Sequence, residues 1–239
     1  MKILSIGNSF SMDAQRYIHR ISELNGNPIK TVNLYIGGCS LRTHYFNILE
    51  NSKRYEFQFN GEATRLPVTI KDALMSDEWD YVTFQQASHF SPLWDTYEPY
   101  LSELSAYVRK YAPQARQIIH QTWAYSAEHI IDRGMTGTRE DMFSSLSECY
   151  KKAADSINAE NIIPSGVLVE ALIKNGIDTP HRDGYHLSLG VGRLAASLLW
   201  YCLFTGANSD EVILPTPDVP VSEEEIKIIR KSVSEALIK

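Results

Sequence analysis

Residues 1–11 read Met1-Lys2-Ile3-Leu4-Ser5-Ile6-Gly7-Asn8-Ser9-Phe10-Ser11, and the rest of the chain is organised around them. Ile3-Leu4-Ser5-Ile6 is a short apolar run closed by Gly7-Asn8, the pattern of a buried strand that ends in a turn. Apolar residues then recur at helical spacing, at Ala14, Tyr17, Ile18, Ile21 and Leu24, which predicts a helix from about Met12. Ser11, with Asp13 following, suits the mouth of that helix as its cap. Ser9 is thereby placed on a strand-to-helix turn, with its hydroxyl near backbone N–H groups that a helix start leaves unpaired. Such a position can hold a nucleophile and stabilise an oxyanion. It equally suits an ordinary turn serine.

A second block, Arg182-Asp183-Gly184-Tyr185-His186-Leu187-Ser188, lies towards the other end. An acid three residues before a histidine, just ahead of a helix, can supply a base and the group that orients it. In the order and placement of these two blocks the chain resembles the SGNH (GDSL-like) hydrolase superfamily. More narrowly, it is similar to a DUF4886-like bacterial branch whose first block reads Gly-Asn-Ser-Phe-Ser instead of Gly-Asp-Ser. The resemblance runs from Ile3 to about Gly206. It implies Ser9 as nucleophile, His186 as general base and Asp183 as its partner. It also implies a three-layer α/β/α sandwich with flavodoxin-like strand order 2-1-3-4-5.

The residues between the blocks support that architecture. Apolar runs at Thr31–Ile36, Tyr81–Gln86, Gln117–Trp123 and Asn161–Pro164 read as four further strands. Helical patterns separate them, at Leu41–Glu50, Leu66–Met75, Tyr97–Tyr111, Glu140–Asn158 and Val167–Lys174. This alternation predicts a five-stranded parallel sheet. Tyr55, Phe57 and Phe59 alternate with polar residues before Asn60-Gly61, a strong hairpin signal. A small β-hairpin is therefore expected near 53–65, either bordering the site or shielding a sheet edge. Pro67 suits the first turn of the helix that follows. Ser126–Arg139 is polar and reads as a loop or short irregular helix over the site. The most apolar window, Leu187–Gly206, contains Arg193 and internal glycines, and a core helix explains it better than a membrane span. A proline-broken stretch, Pro215–Pro220, precedes a final amphipathic helix over 222–238. Neither a repeat nor a long linker divides residues 1–239, so one domain is expected.

Other candidate site residues follow from the strand ends, where open parallel sheets gather ligands. The Gly37-Gly38 pair ends the second strand; the resemblance implies that one of them, Gly38 before Gly37, donates a backbone N–H to the oxyanion together with that of Ser9. The superfamily's third block commonly carries Gly-x-Asn, but this chain has Gln85-Gln86-Ala87-Ser88. Gln86 is the candidate for the missing side-chain donor, and Gln85 stands beside it; either could instead only tie down neighbouring loops. Asn8, His44, His89, Trp123 and Tyr125 are candidates for substrate contact, with Phe90 and Trp94 as further aromatic walls. His44 could equally brace the Ser40 turn. His19, His120 and His181 read as structural.

The net charge of −6 comes with no basic stripe, which argues against nucleic-acid and anionic-membrane partners. Three widely spaced cysteines, Cys39, Cys149 and Cys202, imply no disulfide framework. No metal-ligand spacing is present, and the implied chemistry needs no cofactor. The first strand begins directly after Met1-Lys2, leaving no room for a leader. A cytoplasmic protein is expected from the chain as written, or a periplasmic or secreted one if a leader has been removed. The expected substrate is a small-molecule or glycan ester. A Ser-His-Asp carbohydrate O-acetyl esterase is the first reading; a lipase, a thioesterase or a noncatalytic carbohydrate-binding protein of the same fold are the alternatives.

Overall fold

The computed structural model describes residues 1–238. Its centre is a sheet of seven strands in the order β4-β3-β2-β1-β5-β6-β7. The strands are β1 (Lys2–Gly7), β2 (Lys30–Tyr35), β3 (Tyr55–Phe59), β4 (Pro67–Val68), β5 (Tyr81–Phe84), β6 (Arg116–Gln121) and β7 (Asn161–Pro164). The five strands read from apolar runs, β2-β1-β5-β6-β7, are all parallel and stand in the flavodoxin-like order. Ile3, Leu4 and Ile6 of β1 are buried because helices cover both faces of the sheet.

The helices form two layers. Helices α1 (Ser9–Gln15), α2 (Ile18–Leu24), α8 (Ser165–Lys174), α9 (Val191–Thr205) and α10 (Glu223–Leu237) pack together on one face. Helices α3 (Leu41–Leu49), α4 (Ile70–Met75), α5 (Tyr100–Tyr111) and α7 (Arg139–Ile157) pack on the other. The short α6 (Ala127–Asp132) follows β6 and lies over the loop that carries His186. Helix α9 is buried along most of its length, which explains its apolar sequence. No helix among the described residues is long and apolar enough to cross a membrane.

Several local expectations are corrected. The first helix starts at Ser9, and its cap is Asn8, whose Oδ1 accepts from the Phe10 N–H at 2.9 Å. Ser11 is thus inside the helix, and its hydroxyl donates to Gln85. The pattern running on to Leu24 is broken in two by a buried serine. Ser197 of α9 accepts from the Tyr17 N–H at 3.0 Å and donates to the Ala14 carbonyl at 2.8 Å, drawing both out of the helical ladder. The 53–65 hairpin is present, and of its two expected roles it takes the second: β3 pairs antiparallel with β2, extends the sheet and shields an edge. Pro67 belongs to β4 and not to a helix; α4 starts after Thr69, which forms a capping box with Asp72.

The hairpin tip is anchored on the break between α1 and α2. Gly61 sits at φ +80°, and a Cβ there would meet the Arg16 carbonyl oxygen at 2.4 Å, so only glycine fits. Arg16 Nη1 donates back to the Gly61 carbonyl at 2.9 Å. The break that divides the first helical pattern is therefore also the seat of the sheet extension.

Candidate active site

Ser9 is the first residue of α1, at the carboxyl end of the central strand β1. His186 Nε2 lies 2.9 Å from Ser9 Oγ, and His186 Nδ1 lies 2.7 Å from Asp183 Oδ2. The other carboxylate oxygen of Asp183 accepts from the His186 N–H at 2.8 Å and the Tyr185 N–H at 3.3 Å. A four-residue loop thus closes on itself and points one imidazole at the serine. With Asp183 ionised, Nδ1 is the donor in this pair and Nε2 is left to accept from the serine hydroxyl. Partial desolvation pushes the Asp183 carboxyl up, but the hydrogen bonds from His186 and Tyr185 outweigh it and hold it below its ordinary value.

The loop is fixed from below by a buried ionic cluster with no counterpart in the sequence reading. Asp13, on the second turn of α1, is fully buried. Its carboxylate accepts from the Leu187 N–H at 3.0 Å, from Arg182 Nη1 at 2.9 Å and from Arg193 Nε at 2.8 Å. The Arg182 N–H in turn donates to the His186 carbonyl at 2.9 Å. Above, Tyr185 covers the imidazole at a ring separation of 4.0 Å. Phe10 approaches the same imidazole at 5.9 Å.

A second polar network supports the serine turn. Asn8 Oδ1 accepts from Gln85 Nε2 at 2.6 Å, and Asn8 Nδ2 donates to the Cys39 carbonyl at 3.2 Å. Gln85 Oε1 faces His120 Nδ1 at 2.9 Å, which requires the proton on that nitrogen. His120 Nε2 then meets Ser165 Oγ at 3.1 Å. Asn8 and Gln85 therefore tie the ends of β1, β2, β5 and β6 into one frame, although only Asn8 also borders the open cavity. Burial pushes His120 down to about 3, so it is a neutral element of that frame.

The cavity over Ser9 has a volume of about 510 Å³. Gly37, Gly38, His89 and Tyr125 border it, as the strand-end reading expects, together with Ser9 and His186 of the two blocks. Gly38 has φ +62°, the left-handed region that favours glycine. Tyr35, Ser88, His129, Arg133, Met135 and Tyr185 also border it and were not among the candidates. Three of these, His129, Arg133 and Met135, lie in or just after α6, inside the polar stretch read as a loop or irregular helix. Tyr185 stands inside the quoted second block, beside the histidine.

Six candidates are placed elsewhere. Gln86 does not face Ser9: its Oε1 accepts from the Leu41 N–H at 3.0 Å and the Ala87 N–H at 2.8 Å. Its Nε2 donates to the Thr96 carbonyl at 2.9 Å, so both ends of the amide are spent on loops. Gln85 is buried within the frame just described. His44 is fully buried and does not border the cavity; its Nδ1 lies 2.8 Å from the Tyr55 hydroxyl, and burial pushes it down to about 3. Trp123 is fully buried, stacked on Phe10 at 4.3 Å and donating to the Tyr185 carbonyl at 2.7 Å; it shapes the site from behind without touching the cavity. Phe90 and Trp94 also fall outside the cavity lining; Trp94 stacks on Tyr97. Among the described residues, no group of three His, Cys, Asp or Glu side chains is placed to hold a metal ion.

Comparison with known proteins places this geometry in a family. The family model DUF4886, a domain of unknown function, matches residues 2–233. A crystal structure of a DUF4886 family protein from Bacteroides uniformis is 34% identical and superposes with a TM-score of 0.92, covering 100% of this chain and 95% of that one. A candidate SGNH hydrolase from Slackia heliotrinireducens is 23% identical at a TM-score of 0.60, covering 84% of this chain and 97% of that one. An acetyl xylan esterase is 16% identical at a TM-score of 0.52, covering 85% of this chain and 100% of that one. No curated protein matches in sequence. A match over nearly the whole length and a relative superposing throughout lead to one conclusion: the chain belongs to the DUF4886 family and carries the SGNH-hydrolase fold.

Proposed function

We infer that the protein is a serine ester hydrolase that removes a short acyl group, acetyl above all, from a carbohydrate. The observation that carries this reading is the unbroken hydrogen-bond chain Ser9–His186–Asp183 at the floor of an open cavity. His186 Nε2 takes the Ser9 proton as Oγ attacks the ester carbonyl, and Asp183 steadies the resulting imidazolium. The oxyanion develops at the start of α1, where the Ser9 N–H and the helix dipole favour negative charge, with the N–H of Gly38, which borders the same cavity, as the second donor. With Gln86 engaged elsewhere, the hole rests on backbone donors. His186 then returns the proton to the leaving alcohol, and a water activated in the same way releases the acid. A cavity bordered by Tyr35, Tyr125 and Tyr185 together with polar groups suits a sugar ring, which stacks on aromatic faces, better than it suits a long acyl chain.

The test is hydrolysis of a 4-nitrophenyl ester series, acetate to octanoate, by the parent protein and by Ser9→Ala. Turnover highest on acetate and abolished by the substitution supports the reading, and release of acetate from acetylated glycans extends it. Turnover unaffected by Ser9→Ala overturns it. A maximum at octanoate replaces the carbohydrate substrate with a lipid or thioester.

A further inference from the structure

The cavity over Ser9 has an uneven charge. Its lining contains one permanent cation, Arg133, and three histidines, His89, His129 and His186, but no carboxylate. This holds in a chain whose net charge is −6. Arg133 follows the last residue of α6, the helix that lies over the His186 loop, and its side chain is exposed. The other arginines around the site are neutralised: Arg182 and Arg193 by Asp13, and Arg139 by Glu170. Arg133 has no ion pair among the described residues, and its backbone N–H alone is tied, to the His129 carbonyl at 3.0 Å.

The nearby acids do not cancel it. Asp183 directs its oxygens at His186 and Tyr185. Glu128 stands in the first turn of α6, at the opposite end of that helix from Arg133, and does not border the cavity. Asp132 precedes Arg133 in sequence but does not border the cavity. A guanidinium at the rim of a concave site attracts anions over several ångströms, and its planar fork fits a carboxylate with two parallel hydrogen bonds.

We propose that the substrate is an ester bearing a carboxylate, of the kind presented by an acylated acidic sugar, and that Arg133 binds that carboxylate while the acyl group lies at Ser9. This rests on the esterase reading for its chemistry and adds the substrate's charge. A neutral acylated sugar would leave the guanidinium without a partner in the complex. An acidic one exchanges water on both ions for a charge-assisted pair, and its approach is accelerated by the field of the cavity.

The test compares two substrates that differ at a single carboxyl group: peracetylated glucuronic acid and its methyl ester, with acetate release as the readout. The expected result is a kcat/KM for the acid at least about tenfold above that for the methyl ester at low ionic strength, a ratio set by one charge-assisted contact. Raising the salt to about 0.5 M shrinks the ratio, because the Debye length falls well below the span of the site. Arg133→Gln brings it towards one. Equal rates for the two substrates, or a preference that survives Arg133→Gln, overturn the proposal. Calorimetric binding of the same pair to Ser9→Ala reads the charge preference without turnover. A preference there that disappears in the Ser9→Ala/Arg133→Gln double variant supports the anion contact even if the esterase reading fails, and equal binding overturns it.

Discussion

The Leu187 N–H donates to Asp13 Oδ2 at 3.0 Å, joining positions 174 residues apart in sequence. Asp13 stands one turn after Ser9 on α1, and Leu187 follows His186 directly. One rigid helix therefore carries the serine at its first residue and, at its fifth, the carboxylate that fixes the backbone beside the imidazole. Arg182 and Arg193 supply the charge that lets this carboxylate be buried, and without it both guanidinium groups would lose their partner.

Asp13→Asn keeps the volume and removes the charge. A small misplacement of His186 relative to Ser9 costs on the order of 10²-fold in rate, so kcat should fall by about that much while KM changes little. Breaking a buried pair from one side should also cost about 3–5 kcal/mol of stability. Steady-state kinetics on the variant, after circular dichroism has shown it folded, decides the point. A folded variant with the parent kcat would show that Asp13 does not position the base.

Asp183 is held below its ordinary carboxylate value by hydrogen bonds that outweigh its partial desolvation. Its folded-state value is depressed, so the carboxylate stays charged as pH falls towards 3.8 and is lost only below that. Its protonation should therefore cause no loss of activity in mild acid. Asp183→Asn should lower kcat by about 10²- to 10⁴-fold at neutral pH, because the imidazole loses the partner that sets its tautomer. A variant with near-parent activity across the pH profile would remove Asp183 from the mechanism.

Three histidines that folding shields from water, His44 and His120 fully and His181 in large part, should make stability fall in acid. His44 and His120 are pushed down by burial to about 3 and His181 to about 4, against 6.5 for the free side chain. Between those values the unfolded chain binds protons that the folded one refuses, so stability is complete above 6.5 and declines as pH drops below it. At pH 5 each of the fully buried pair should cost on the order of 2 kcal/mol relative to neutral pH. Thermal melting between pH 5 and pH 8 checks this. His44→Gln should flatten the slope, and an unchanged slope in that variant would show that His44 does not contribute.

Gln86→Ala separates a structural amide from an oxyanion donor. A lost donor costs about 10²–10³ in kcat. The Gln86 amide instead ties Leu41, Ala87 and Thr96, so the expected result is a lower melting temperature with kcat reduced less than about tenfold. A larger loss of kcat with unchanged stability would restore Gln86 to the oxyanion hole.

The parallel strands were legible because each is a short run rich in apolar residues between turn residues, and all but the edge strand β7 are buried along nearly their whole length. The Ser9 and Asp183/His186 blocks were legible because each lies within a few residues of chain. What was hidden depends on distant partners. The sequence of Gln85-Gln86 announces a need for hydrogen bonds, but nothing local names Asn8 or Leu41 as their recipients. Trp123 at a strand end reads as a wall until Phe10, from the first helix, is seen stacked on it. Helix α6 buries only Ile130, so its apolar periodicity was too weak to reveal the element that brings His129 and Arg133 to the cavity.

The two margins of the sheet have a consequence for how copies of the molecule meet. One margin is the two-residue β4, beginning at Pro67; the other is the four-residue β7, ending at Pro164. A strand laid alongside either would find few free N–H groups and one missing at each proline. Growth of the sheet from molecule to molecule is thus blocked at both ends, and a concentrated solution gains protection from ribbon-like aggregation through two prolines far from the chemistry.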